Sequence, residues 1–465
     1  MKATLPPGPK APALAQYLEY STDPYGLFER CRVRYGDTFT LRMPGQRALV
    51  FMCGPEDVDA LIAGNYDTFE RSADDLCHFV GERALIFMHD QRHKEMRKLM
   101  FPVFKREQMR VHGAGMRRVV DETIAGMADG EQRLLQDDMR QLSLRLNLVA
   151  LFGTDEGRMR EFGEHLTAYV AGMMSRSMYG AALLLSGRRI HDLLRSRGEA
   201  VRRGRRGVSR WPLQSIADHL GAIEAIMLEE IERCRGLSDE AREARSDILA
   251  MLVGARFEDG TALSDRSLCD QLLTFVIAGQ ETAANALAWV LCSALQSAGT
   301  FERMRAEVEQ VMGDGFDPER IKELHFMGAV MNESLRLYPI PMSVIRQLKQ
   351  ETRFGAHVLP AGTIVVPCTY LIQRDERVWS DPAEFRPDRF LSGKHSVYEF
   401  HPFGTSAWRC IGVHLAEYMM KVVLARIVRQ MSFELISSKP IRPVGNGFNA
   451  TPSEGLPVKV KRLHA

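Results

Sequence analysis

The sequence predicts a mainly α protein with a small β region. Three observations carry this. Residues 265–296 form a largely apolar stretch unbroken by proline, opened by Leu263, Ser264 and Asp265 as cap residues; as a helix it would span roughly 45 Å. Helical spacing recurs in 134–152, where Met139, Leu142, Leu146 and Val149 share a face, and in 411–427, where Val413, Ala416, Met420, Val423 and Leu424 do. Period-two alternation is confined to 37–43 and 47–53, around a Pro44-Gly45-Gln46 turn, and to short strands after 341.

Taken in order, Pro55 opens a helix over 56–62, as a residue without an N–H can at a first helical position. Residues 71–88 lack periodicity apart from an apolar run at 84–88. In the basic helix that follows, His93 and Arg97 lie one turn apart and share a face, the pattern of an ordinary surface helix. Helices are expected over 107–127 and 134–152, with Gly153 as C-cap of the second. Between 187 and 210, nine arginines (188, 189, 195, 197, 202, 203, 205, 206, 210) face only Asp192 and Glu199 as acids. This reads as a solvated, mobile loop, with contact to an anionic partner or substrate as the alternative. Trp211 is its only aromatic stacker, so nucleic-acid binding is not expected. A helix over 216–234 precedes the central one. Later, Tyr338-Pro339-Ile340-Pro341 ends the helix that carries Glu333 and Arg336. Gly445, Gly447 and Ala450 mimic a dinucleotide fingerprint, but only 15 residues follow, too few for the required unit.

The 465 residues are 45% hydrophobic and can bury a large core; at roughly 150 residues per domain the length alone would give three domains. The net charge of +2 does not mark a polyanion binder. Eight cysteines (31, 53, 77, 234, 269, 292, 368, 410) are scattered without a Cys-x-x-Cys pair, which argues against a zinc ribbon or a disulfide scaffold. No apolar stretch of about 18 residues and no signal-peptide h-region is visible, so a cytoplasmic protein without a membrane anchor is expected.

The chemistry concentrates at 400–415, FHPFGTSAWRCIGVHL. Cys410 sits where a loop of small residues, Gly404 to Ala407, meets the helix that begins near Ile411. The unpaired N–H groups and positive dipole end of a helix favour a thiolate there, and small neighbours admit a flat ligand. That suits a soft metal, although a lone cysteine is more often merely buried.

Three motifs in sequence order resemble the cytochrome P-450 superfamily. Phe403, Cys410 and Gly412 match its haem-binding loop, Glu333 and Arg336 its Glu-x-x-Arg signature, and Ala278-Gly279-Gln280-Glu281-Thr282 its oxygen-activating segment. Phe385-Arg386-Pro387-Asp388-Arg389-Phe390 lies between the second and third signatures along the chain. Two positions depart from the pattern: 406 is Ser where the family usually has Gly, and 408 is Trp where it usually has Arg or His.

The resemblance implies the cytochrome P-450 fold, a triangular haem-binding prism with a long central helix, formed by 1–465 as one haem domain with its β-rich part at about 30–70 and 340–375. It implies haem b, iron protoporphyrin IX, with Cys410 as axial thiolate and metal ligand, and Phe403, Gly404 and Gly412 around it. His93, Arg97, Arg346 and Trp408 would meet the haem propionates. Glu281 and Thr282 would deliver protons, unless they are only a kink with a satisfied polar pair. Glu333, Arg336 and Arg389 would form a buried charged network. Leu272, Phe275, Val276, Ala278, Gly279, Ile340, Met342, Val344 and Phe448 would line a mostly apolar substrate pocket.

The implied activity is insertion of one oxygen atom of O2 into a lipophilic small molecule such as a terpenoid, fatty acid, steroid or polyketide. Electrons would come to the monomer from a ferredoxin or flavodoxin type donor with its reductase. A peroxide-using or rearranging haem-thiolate enzyme and a non-catalytic haem or ligand sensor are the other readings, and the Glu281-Thr282 pair weighs against both.

Overall fold

The structure is a computed structural model that describes all residues except 1–4, 45–47, 65, 71–76, 155, 174, 176, 179–180, 182–184, 203–210, 212, 314, 341–344, 394, 447–448 and 464–465. It divides into two compact units: Met1–Glu70, Met116–Ser143 and Gln280–Ala465 form the first, and Arg71–Gly115 with Leu144–Gly279 the second.

The first unit holds a five-stranded sheet. Across it the strands run Thr38–Leu41, Leu49–Met52, Ile364–Pro367, Arg346–Leu348 and Phe69–Glu70. The predicted hairpin is antiparallel, Thr38 opposite Met52, and Leu49–Met52 then pairs in parallel with Ile364–Pro367. Because side chains alternate along a strand, Phe39, Leu41, Leu49, Phe51, Ile364 and Val366 enter one apolar cluster with Phe28 and Tyr370. Val50, Met52 and Val365 enter another, with Leu61, Phe69, Leu348, Phe354 and Trp408. The second cluster is what ties the sheet to the cysteine loop.

Pro55 starts the helix Pro55–Ala63 as expected. The central helix runs Asp265–Gln296, and the Ser264 hydroxyl accepts the Ser267 N–H at 3.2 Å as its cap. Among the described residues it is the one helix long and apolar enough to cross a membrane, and 61% of that window is buried inside the protein, as befits a core helix. The helix His325–Leu337 stops before the Tyr-Pro pair; Tyr338 then stacks on Trp289, ring centroids 3.8 Å apart, and the Trp289 indole N–H donates to the Ala450 carbonyl at 2.8 Å. Gly445 and Ala450 pair across a short hairpin, Pro443–Asn446 with Asn449–Pro452. Helix Val413–Gln430 follows the cysteine, with Gly412 at its N-cap. Where one helix was expected over 107–127, the chain forms short turns, Arg106–Met109 and Arg110–His112, before Gly113–Ala125. Leu135–Phe152 matches its prediction, and Gly153 has the left-handed φ of 78° that a C-cap glycine supplies.

The second unit corrects one expectation. The first part of the arginine-rich segment, Gly187–Arg202, is a helix and not a loop, while 203–210 lie outside the described residues. Its buried positions, Gly187, Ile190, His191, Leu194, Arg195 and Gly198, recur every three to four residues. Counting charges hid that stripe, because Arg195 belongs to it. Arg195, 5% exposed, bonds Asp270 at 2.7 Å and also Glu224, so its charge is matched inside the unit. Asp270 also accepts the Arg83 N–H at 3.1 Å, and Gln271 the Leu85 N–H at 2.9 Å, which fastens residues 83–85 to the central helix.

Candidate functional site

The cysteine loop is built by backbone geometry. The Cys410 N–H donates to the Phe403 carbonyl at 2.8 Å and the Gly404 N–H to His401 at 2.9 Å, which draws the loop into a closed turn. Gly404 takes φ 71° and Ser406 φ 55°. The left-handed conformation explains why glycine would be favoured at 406; serine adopts it here while its hydroxyl donates to the Ile62 carbonyl. A side chain placed on Gly412 would meet nothing within 4 Å.

Cys410 is exposed, whereas Cys31, Cys53, Cys234, Cys269, Cys292 and Cys368 are buried. Burial pushes the Cys31 thiol up to about 11, and those of Cys269, Cys292 and Cys368 up to about 12. Those thiols stay protonated and inert. Among the cysteines whose burial is described, the accessible thiol is the one next to a helix N-terminus.

Beneath this loop in the same unit lies the charged network the sequence predicts. Arg336 and Glu333, both fully buried, form a two-pronged pair at 2.8 and 2.9 Å. Arg336 spends its other N–H groups on the carbonyls of Gln373, Pro382 and Glu384, and Arg389 reaches Glu333 at 3.0 Å. Gln373 is the residue sequence reasoning missed. It donates to the carbonyls of Leu335 and Arg336 and accepts the His401 N–H at 3.2 Å, so it joins the network to the start of the cysteine loop. A buried glutamine at the end of the short helix Thr369–Ile372 carries no motif that would have found it.

Arg346, on its sheet strand, donates to the Leu61 carbonyl and, at 3.3 Å, to the Thr405 hydroxyl. The ring of Trp408 is turned into the apolar cluster, 8% exposed, with its centroid 5.2 Å from the Arg346 guanidinium carbon. Its charged neighbour there is Arg346.

On the central helix Glu281 and Thr282 are half-buried. Arg140, from helix Leu135–Phe152, holds the Glu281 carboxylate at 3.0 Å through Nη2. Ala278 and Gly279, counted in the second unit, sit on the same helix; Ala278 is exposed, and a side chain at Gly279 would lie 2.6 Å from the Asn147 amide oxygen. Within the second unit the more open face of this helix carries Phe275 and Ala278. Leu272 and Val276, expected to line a pocket, are instead fully buried, because they lie about a quarter turn round the helix from that face. Phe275 is half-buried and meets Phe104 edge-on at 4.9 Å. Ile340 is 8% exposed, while Met342, Val344 and Phe448 lie outside the described residues. In the second unit His93 is buried and Arg97 half-buried on the helix Asp90–Met100, sharing a face as the spacing predicts.

The cytochrome P450 family model matches residues 6–137 and 206–459. Cytochrome P450 135B1 of Mycobacterium tuberculosis is 27% identical over 461 residues, 98% of this chain and 91% of that protein. Cytochrome P450 139 of Mycobacterium bovis is 26% identical, over 90% of this chain and 93% of its own. Among solved structures, one described as retinoic acid bound cyanobacterial CYP120A1 gives a TM-score of 0.80 at 20% identity, covering 99% of this chain and all of that one. The cytochrome P450DA heme domain gives the same TM-score and identity, over 99% and 98% of the two chains. At that identity the structures speak for the fold, and the family match across most of the chain for the rest: the chain belongs to the cytochrome P450 family, haem-thiolate monooxygenases whose cofactor is haem b on an axial cysteine.

Proposed function

We propose that the protein oxygenates a lipophilic small molecule at a haem held by Cys410, with electrons from a separate ferredoxin or flavodoxin type donor and its reductase. The observation that carries it is the exposed thiol of Cys410, closed by its N–H bond to Phe403 at the mouth of a helix. The residues present fit the group: an accessible sulfur, a loop whose Gly404 and Gly412 leave room for a flat ring, and open space beside Gly412. We read the whole chain as one haem domain, since the family match includes segments of both units.

When bound, haem supplies the activation of O2 and the transfer of one oxygen atom, which thiolate ligation favours. The chain supplies the rest. Cys410 would hold the iron, and the Phe403 carbonyl, which accepts the Cys410 N–H, fixes the loop that would present the sulfur. Glu281, its carboxylate oriented by Arg140, would take part with the neighbouring Thr282 hydroxyl in proton delivery through water. Ala278 is small and exposed on the central helix, and the half-buried Phe275 beside it is apolar, which supports a lipophilic substrate.

The test is the absorption spectrum of the dithionite-reduced protein with carbon monoxide, beside Cys410→Ser. A strongly red-shifted Soret band that the substitution abolishes is expected. An ordinary band in the unsubstituted protein overturns the assignment of Cys410. Dioxygen consumption with ligand and electron donor, compared with peroxide, then tests the donor.

A further inference from the structure

We propose that Trp408 is a positioning residue for Arg346: a π surface in a place where a second cation would stand, holding the guanidinium in one orientation toward the haem carboxylates. The inference rests on the haem reading above.

The guanidinium carbon of Arg346 lies 5.2 Å from the Trp408 ring centroid and 5.4 Å from that of Phe69. Its edge is fixed separately, by the Leu61 carbonyl in the last turn of helix Pro55–Ala63 and by the Thr405 hydroxyl. The Leu61 carbonyl belongs to the negative end of that helix, where a cation is favoured. Trp408 is itself wedged, its ring edge-on to Tyr66 at 5.3 Å and to Phe69 at 6.4 Å. Arg346 is 5% exposed and Trp408 8%, so this contact is shielded from water, where a cation over an indole face is worth most.

A cation at 408 would bring a second positive charge close to Arg346 in a buried setting, and the two would repel. Tryptophan replaces that repulsion with attraction and adds no charge. The consequence is that Arg346 is ordered in advance, so that little side-chain freedom is lost when a carboxylate arrives. Thr405 and Trp408 come from the cysteine loop itself, so the orientation of Arg346 is set by the same turn that presents the thiol.

The experiment follows release of haem from the loaded protein to excess apomyoglobin. It compares Trp408→Phe, Trp408→Leu, Arg346→Gln and the Trp408→Leu/Arg346→Gln double variant, with unfolding midpoints recorded for each. Trp408→Leu is expected to speed release about tenfold, and Trp408→Phe, which keeps an aromatic face, no more than about threefold. In the Arg346→Gln background, Trp408→Leu should change the rate less than about twofold, since its partner is gone. Equal effects of Leu and Phe, or effects that multiply with Arg346→Gln, would make Trp408 ordinary core packing and overturn the proposal. The carbon monoxide spectrum of the unsubstituted protein separates the two levels. A protein without the thiolate band loses both readings, whereas a normal band with equal Leu and Phe rates removes only this one.

Discussion

Arg140 grips Glu281 from a neighbouring helix: Nη2 lies 3.0 Å from one carboxylate oxygen, and Nε lies 3.2 and 3.3 Å from the two. Arg140 also reaches Asp137 at 3.1 Å. One turn along each helix, the Gln136 amide donates to Asn285 at 2.6 Å, so a charged rung and a neutral rung join the same two helices. Both Arg140 and Glu281 are about one-third exposed, and such a pair adds at most about 1 kcal/mol of stability. Its value is in fixing where the carboxylate points.

Glu281→Gln should therefore lower product formation per electron consumed by about a hundredfold, the scale of a lost proton carrier. Arg140→Gln should cost less, about tenfold, and the double variant no more than Glu281→Gln alone. Unfolding midpoints should barely move. Undiminished coupling in Glu281→Gln would remove the acid from the reaction.

Arg336→Ala should be severe. It strips Glu333 of its two-pronged partner in a fully buried site and leaves three carbonyls without their donor. Leaving one charge uncompensated costs about 3–5 kcal/mol. Arg336→Lys should recover little, since an ammonium cannot fork. Denaturant unfolding and haem content per chain measure this, and a stable, fully loaded Arg336→Ala protein would contradict it.

His401 gives the fold a pH dependence. Burial pulls its pKa down to about 4, with the Val397 carbonyl opposing and Arg346 assisting. Folded, the ring is neutral; unfolded, it takes a proton below its ordinary value. Its contribution is thus fully present above about pH 6.5 and is lost as the pH falls toward 4, at most about 3 kcal/mol in all. His401→Gln should flatten stability between those limits. An unchanged slope would mean that another group carries it.

Legibility from sequence followed the range of the interactions. The central helix, the hairpin and the Pro55 start are local patterns, and they were readable because period and caps act over a few residues. Glu333 and Arg336 were readable through the resemblance of three motifs in order, but Gln373, which carries their link to His401, was not, since its partners are 37, 38 and 28 residues away. Charge misled at 187–202, where Arg195 looked solvated and is instead paired with acids on two other helices. Leu272 and Val276 were placed in the pocket by the resemblance; a helix turns 100° per residue, and both are fully buried.

The last prediction tests the helix that charge had hidden. Gly198, on Gly187–Arg202, faces Gly221 on Gln214–Arg235, and a Cβ on Gly198 would lie 2.8 Å from the Ala217 carbonyl and 2.9 Å from the Gly221 Cα. Both contacts are backbone, which cannot swing aside as a side-chain tip can. Two effects of Gly198→Ala oppose each other. Alanine favours the helix by about 1 kcal/mol over glycine, whereas forcing the two helices apart costs about 1–3 kcal/mol. Because the helices touch through backbone at this point, the steric cost should win, and Gly198→Ala should lower the unfolding midpoint. The same change at Gly221 should act in the same direction, as its Cβ would lie 2.9 Å from the Gly198 Cα and carbonyl oxygen. A raised midpoint for either variant would show that the helices are not packed backbone to backbone, since propensity alone would then be governing the outcome.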